Sequence, residues 1–361
     1  MNNIALLGYG TVGKGVADLL MKLPAAADCH LVAVFDKPER KAELKELLVT
    51  DASLIMADKS IDTVIECLGG DELPYRLIKE ALTAGKNVIS SNKETISKHL
   101  EEYRSLASQH QGTLQFEAAV GGGIPLLYPL QVTSSFDTLL SLQGILNGTT
   151  NFILTQIQDH GMDFATALKK AQELGFAEKD PTADLEGLDM VRKGNILAAL
   201  CYGAKLNNED IPHFGISHLS PAVLTYAKKQ NKTLRFVVDM KRSAEGLGLI
   251  VIPELFPNDH LLSQVKEETN AVVTDYQANG PLTFIGKGAG RYPTASAILQ
   301  DVQRVITRSI YPPVKELMPM MPIQKISGDF VCFPKDASQP IFLKNPVVAD
   351  LKAYDFVLKE N

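Results

Sequence analysis

The chain lacks any uninterrupted apolar run near the roughly 18 to 20 residues needed to cross a bilayer, which excludes a membrane-spanning helix. It also lacks a run of lysine and arginine. With 36 basic and 42 acidic side chains its formal charge is −6, so it presents no field for a phosphate backbone and no nucleic-acid partner is expected. Met1 to Gly10 carries no basic stretch ahead of a cleavable apolar segment and starts at once in a strand-like run, so secretion is not expected. Cys29, Cys67, Cys201 and Cys332 lie far apart without a Cys-x-x-Cys pair, which fits reduced thiols in a cytoplasm and roles in packing. His30, His99, His110, His160, His213, His218 and His260 show no metal-ligand spacing; a zinc hydrolase has no support, and acid–base chemistry falls to Lys, Asp or Glu. Internal repeats and low-complexity linkers are absent as well.

What is there is an ordinary globular composition: 361 residues, 45% hydrophobic and 22% charged, more than one hydrophobic core usually supports. Two domains are expected. Up to about residue 120, strand-like runs (Ile4 to Leu7, Leu31 to Phe35, Thr63 to Cys67, Val88 to Ser90, Leu114 to Ala118) alternate with helical ones such as Pro74 to Ala84 and Ile96 to Ser108. That alternation predicts an α/β fold, a doubly wound parallel sheet of Rossmann type over residues 1–125, completed by the C-terminal segment 295–361. After the turn Gly121-Gly122-Gly123-Ile124-Pro125 the texture becomes mixed, and residues 126–294 are expected to form a second, α+β domain for substrate binding and dimerisation. Its strands are read at Leu139 to Leu146, Phe236 to Met240, Leu249 to Pro253, Ala271 to Tyr276 and Thr283 to Gly286, with a long helix from Asp184 to Leu200; the run Ala295 to Ile310 carries the chain back to the first domain.

Gly8-Tyr9-Gly10-Thr11-Val12-Gly13 follows a strand and leads into a helical run. The first glycine permits a tight turn, the second lets the backbone approach a pyrophosphate, and the third lets helix pack on strand. Asp36 ends the second strand 23 residues after Gly13, where a ribose 2′-hydroxyl is usually held. Gly8, Gly10, Thr11, Val12, Gly13 and Asp36 are thus the expected cofactor contacts. NAD is favoured, although Lys37 and Arg40 suit the 2′-phosphate of NADP. Gly69, in Glu66-Cys67-Leu68-Gly69-Gly70, ends a strand on the same sheet edge; a plain turn accounts for it equally.

Three further segments carry candidate chemistry: Ser90-Ser91-Asn92-Lys93, Leu146-Asn147-Gly148-Thr149-Thr150-Asn151, and residues 175–193, GFAEKDPTADLEGLDMVRK. On a continuous helix Glu186, Asp189 and Lys193 share one face. Taken alone, Asp189 and Lys193 read as a solvated surface pair, Lys93 as a surface lysine and Thr149 as a helix cap. Together with the glycine fingerprint, Ser91-Asn92-Lys93-Glu94, Gly121 to Pro125, Asn147-Gly148-Thr149 and Gly286-Lys287-Gly288-Ala289-Gly290 through Asp301, they resemble the homoserine dehydrogenase family. The match is most specific in the spacing of Glu178, Asp180, Pro181, Asp184, Gly187, Asp189 and Lys193, and the resemblance covers nearly the whole chain.

The resemblance implies reversible, NAD(P)-dependent conversion of L-aspartate 4-semialdehyde and L-homoserine, on the way to threonine and methionine, by a cytoplasmic homodimer. It implies Lys193 as proton donor, with Lys93 contributing to proton transfer and cofactor binding and Asp189 beside them; Gly175, Glu178, Asp184, Asp189 and Thr149 at the substrate; and Gly288 near the cofactor. A monovalent cation, sodium, is implied at Glu117, Val120, Gly122 and Ile124. Hydride delivery to an aldehyde carbon builds charge on its oxygen, and a lysine that stabilises this charge and gives up a proton answers that need. Phe176 stands where some relatives carry a tyrosine, so a hydroxyl contact is lost. About 40 residues follow Pro319, too few for the regulatory domain of many relatives, so threonine is not expected to inhibit through one. The competing readings are a catalytically inactive nucleotide sensor and a related amino-acid-pathway reductase.

Overall fold

The computed structural model describes residues 2–22, 28–204, 206–309, 311, 318, 328–335 and 339–360; Ile310 and Pro319 lie outside them. The chain divides into two compact units, Met1–Pro129 with Ala289–Pro312, and Leu130–Gly288 with Pro313–Asn361.

In the first unit six strands, β1 (Asn2–Leu7), β2 (Cys29–Phe35), β3 (Leu48–Val49), β4 (Thr63–Glu66), β5 (Asn87–Ser90) and β6 (Leu114–Gln115), form one sheet in the order β3-β2-β1-β4-β5-β6. Every pairing is parallel. This is the doubly wound arrangement expected, with the chain reversing direction of travel at β1, where ligands sit outside the strand ends. Apolar strand residues are buried on both faces: Ile4, Leu6, Val34, Ile65 and Ile89 pack with Val16 and Leu20 of the helix Thr11–Lys22 and with Ala295, Ile298 and Val302 of the helix Arg291–Thr307. The late helix thus belongs to the first unit. Its fit is close: a Cβ on Gly15 would lie 2.7 Å from the carbonyl oxygen of Arg291.

The strand read at Leu114 to Ala118 stops at Gln115 and continues as a 3₁₀ turn, Glu117–Ala119. The backbone N–H of Glu117 is taken out of any ladder by the Asp301 carboxylate, 2.7 Å away.

The second unit is built on eight strands: β7 (Leu139–Ile145), β8 (Lys232–Ser243), β9 (Gly246–Pro257), β10 (Thr269–Tyr276), β11 (Gly280–Lys287), β12 (Asp329–Phe333), β13 (Ile341–Lys344) and β14 (Phe356–Glu360), in the order β11-β10-β7-β8-β9-β14-β12-β13. Pairing is antiparallel except between β14 and β9. The helices Gly148–His160 and Leu188–Tyr202 contact this sheet; Gly194 in the latter brings its backbone against Val238 and Leu249.

Three expectations are corrected here. The units divide after residues 129 and 288 rather than at 125 and 294. The tail does not complete the first unit: β12, β13 and β14 extend the second sheet, because the free edge of β9 takes up β14 through Glu254 and Leu255, and Lys359 of β14 pairs with Asp239 and Glu254. The long helix from Asp184 is two helices, Thr182–Leu185 and Leu188–Tyr202, broken at Gly187, whose φ of +84° lies in the left-handed region.

Candidate active site

In the first unit the candidate cofactor residues follow the carboxyl ends of neighbouring parallel strands: Gly8 after β1, Asp36 after β2, Gly69 after β4 and Lys93 after β5. Gly8 has φ +96° and sits against the backbone of Cys67, while a Cβ on Gly13 would lie 2.1 Å from the carbonyl oxygen of Gly8. These two glycines are required by the fold. Gly10 is different: nothing lies within 4 Å of where its Cβ would be, immediately before Thr11 and Val12 open the helix Thr11–Lys22. An open backbone position at a helix N-terminus is the cradle a pyrophosphate needs, so the residues fit a dinucleotide. The Asp36 carboxylate accepts the N–H of Tyr9 at 2.5 Å and of Lys37 at 2.7 Å, which fixes it beside the glycine turn. Arg40 Nε is 4.0 Å from it.

Lys93, which taken alone read as a surface lysine, is half-buried and is the first residue of the helix Lys93–Gln109. Asn92 caps that helix through Oδ1, which accepts the N–H groups of Glu94 and Thr95. Under this corner lies a group that sequence reasoning missed: Glu66, 0% exposed, at the end of β4. Burial pushes its carboxyl up to about 7, against the opposing pull of hydrogen bonds from Ser90, Leu68 and Asn92.

The implied cation position also lies in this unit. The Glu117 carboxylate accepts the N–H groups of Leu126 (2.5 Å), Leu127 (2.6 Å) and Tyr128 (3.0 Å) at the start of the helix Leu127–Ser134 and pairs with Arg304 at 3.0 Å. Its charge is therefore spent. The carbonyls of Val120, Gly122 and Ile124 accept no backbone N–H among the described residues, and Gly121 and Gly122 turn the chain with φ of +78° and +56°. Neutral backbone oxygens without a spare carboxylate suit a monovalent rather than a divalent ion.

In the second unit the candidate chemistry gathers around Asn147, at the end of β7. Its Oδ1 caps the helix Gly148–His160 by accepting Thr150 N–H at 2.9 Å, and its Nδ2 donates to Asp184 at 2.7 Å and to Asp189 at 3.0 Å. Lys193 Nζ donates to the Leu146 carbonyl at 2.5 Å and pairs with Asp189 Oδ2 at 2.7 Å. Lys193 is 8% exposed and Asp189 3%, so this is a buried pair and not the solvated one that spacing alone suggested. Burial, then the charge of Asp189, raises the Asp184 carboxyl above its ordinary range. Glu186 is not on the shared face: the break at Gly187 turns it away, to accept the Ser217 hydroxyl.

Gly175, with φ +77°, and Glu178 lie in an exposed turn after the helix Phe164–Glu173, tied to the site where Thr149 Oγ1 donates to the Phe176 carbonyl at 2.5 Å. Phe176 turns its ring onto Phe152, with centroids 5.0 Å apart. Gly288 stands against Asn270, a 1% exposed amide with no hydrogen-bond partner among the described residues; a Cβ on Gly288 would overlap it at 2.0 Å. The cap read at Thr149 falls instead to Asn147, whose signal is an asparagine directly before Gly148, whereas Glu66 and Asn270 lie in strands that give no hint of a role.

Comparison with known proteins accounts for both units. The model of the homoserine dehydrogenase NAD-binding domain matches residues 8–117, and that of homoserine dehydrogenase matches residues 125–303. Homoserine dehydrogenase of Corynebacterium glutamicum is 38% identical over 314 residues, 83% of this chain and 70% of that protein. The crystal structure of a homoserine dehydrogenase from Thiobacillus denitrificans superposes with a TM-score of 0.85 at 31% identity, covering 92% of this chain and 83% of the other. A hyperthermophilic archaeal homoserine dehydrogenase in complex with NADPH shares the fold, with a TM-score of 0.73 at 22% identity, covering 87% of this chain and 99% of the other.

Glu66 makes stability pH-dependent with a definite sign. Its pKa is about 7 in the fold against 4.5 for an ordinary glutamate, so the folded state holds the proton longer and stability falls as pH rises between these values. Glu66→Gln removes that contribution: between pH 5 and 8 its unfolding free energy, measured in urea, is expected to gain about 2 to 3 kcal/mol relative to wild type. An unchanged difference across that range contradicts a titrating Glu66.

Proposed function

The chain belongs to the homoserine dehydrogenase family, and from that premise we propose how its residues divide the work. It is an NAD(P)-dependent oxidoreductase of the CH–OH group, interconverting L-aspartate 4-semialdehyde and L-homoserine. The nicotinamide, when bound, supplies or receives the hydride. Gly8, Gly10, Thr11, Val12 and Gly13 hold its pyrophosphate, Asp36 its ribose, and Gly69, Lys93 and Gly288 border it; the open backbone at Gly10 supports this reading. NAD is favoured by Asp36, while Arg40 and the NADPH complex of a distant relative keep NADP in the comparison.

The buried pair of Lys193 and Asp189 carries the mechanism. The ammonium faces the charge that builds on the carbonyl oxygen of the semialdehyde and gives it the proton; in the reverse direction it takes the proton back. Asp189 and the Leu146 carbonyl hold Nζ in place, and Asn147 holds Asp189. Lys93 assists proton transfer. Asp184, Asp189 and Glu178 supply negative charge for the substrate ammonium, with Thr149 and Gly175 shaping its seat. A sensor without catalysis has no use for a lysine buried at this cost. The product and the four unpaired cysteines fit a cytoplasmic step towards threonine and methionine.

L-Homoserine is expected to reduce NAD, and NADP more slowly, in an absorbance assay. Lys193→Ala should lower kcat by about 10² to 10⁴ with a smaller change in KM. A silent wild type with both cofactors, in both directions, overturns the assignment. The cation reading predicts that sodium chloride, and not choline chloride at the same ionic strength, raises the thermal midpoint of desalted enzyme; equal effects refute it. A homodimer formed through the second unit is supported by its exposed apolar side chains, Phe136 (89%), Phe342 (63%) and Ile285 (58%). Light scattering is expected to give twice the chain mass, and a monomer rules this out.

A further inference from the structure

Glu66 does more than fill the end of a strand. Its Oε1 accepts the N–H of Leu68 at 2.7 Å, and its Oε2 accepts the Ser90 hydroxyl at 2.5 Å. The Ser90 Oγ in turn accepts the N–H of Asn92 at 3.1 Å, and the Glu66 carbonyl accepts the N–H of Ser91 at 3.2 Å. Asn92 then reaches back, donating through Nδ2 to the carbonyls of Gly70 (2.7 Å) and Leu68 (3.4 Å). One buried carboxyl therefore stitches two turns together: residues 67–70 after β4 and residues 90–93 after β5. The first contains Gly69; the second ends at Lys93, where its helix starts.

Among the described residues no lysine, arginine or histidine pairs with Glu66. A buried carboxyl without a counter-charge costs stability, and an apolar side chain would pack the end of β4 more cheaply. What an apolar side chain lacks is the pair of hydrogen bonds, one to each turn. We infer that Glu66 is a positioning residue of the dehydrogenase reaction, setting the Gly69–Gly70 turn against the cofactor and Lys93 at the start of its helix through Ser90 and Asn92. This rests on the family reading of Lys93 and Gly69 given above.

Glutamine keeps both contacts, its carbonyl accepting Leu68 N–H and its amide donating to Ser90 Oγ in reversal of the wild-type direction; leucine keeps the volume and loses both bonds. In steady-state assays Glu66→Leu is expected to raise the KM for the nicotinamide cofactor and to lower kcat by about tenfold each, with the KM for homoserine within about twofold. Glu66→Gln should return both to within about threefold of wild type. Ser90→Ala should reproduce part of the loss, and adding it to Glu66→Leu should cost less than about twofold more, because the relay is already broken. Where Glu66→Leu does not fold, Ser90→Ala against wild type carries the same test. Wild-type kinetics in the folded Glu66→Leu or in Ser90→Ala, additive losses in the double variant, or a glutamine as poor as leucine overturn the inference. Failure of the family reading is seen separately, as absence of homoserine turnover in the wild type.

Discussion

An ammonium that is 8% exposed has to be matched where it sits, because an unpaired buried charge costs several kcal/mol. Much of the second unit around Lys193 answers that demand. β7 ends so that the Leu146 carbonyl meets Nζ, and the helix Leu188–Tyr202 sets Asp189 one turn before the lysine. Asn147 joins the arrangement to the start of the next helix, using one side of its amide as a cap and the other to hold both aspartates. The break at Gly187 belongs to the same solution. On an uninterrupted helix Asp184 would point about 140° away from Asp189. With the break, both carboxylates reach the same amide, and Gly187 is held without a side chain because a Cβ would lie 2.8 Å from the ring of Phe236.

The first unit solves a different problem, with backbone rather than charge. Gly8 and Gly13 let strand, turn and helix close on one another, and the hydrogen bonds from Tyr9 and Lys37 pin Asp36 beside them. The helix Arg291–Thr307 seals the far side of Thr11–Lys22 at Gly15 and supplies Asp301 and Arg304, which fix the turn around Glu117. A carboxylate 184 residues further along the chain thereby shapes the loop after β6, as long-range packing can and local propensity cannot.

This difference decides what could be read from the residues alone. The parallel sheet, five of its six strands and the glycine turn were legible because they rest on local periodicity and on the φ angles that glycine permits, whereas the two-residue β3 is too short to show a period. The segment from Glu178 to Lys193 was recognisable by spacing, but its geometry was not: a surface pair and a buried pair have the same i, i+4 signature, and burial is decided by β7 and β8, which are distant in sequence. Gly187 read as part of a helix because one glycine is tolerated there. The tail was misplaced because nothing local in Phe356 to Glu360 tells which sheet edge is free; the parallel partner on β9 does. Glu66 went unnoticed as a single acid in an apolar strand, its meaning set by Ser90 and Asn92 across the sheet.

The charges at the second-unit site also argue for the kind of aldehyde it accepts. Asp184 and Asp189 share one amide, and Lys193 pairs with Asp189. Burial, then the charge of Asp189, raises the Asp184 carboxyl. A simple aldehyde brings no positive charge to these two carboxylates. In the proposed reaction a substrate ammonium meets these carboxylates while Lys193 answers the carbonyl oxygen. Two aspartates held on one amide beside Lys193 are thus a physical reason to propose an amino-aldehyde substrate, independent of the spacing by which the segment was first recognised.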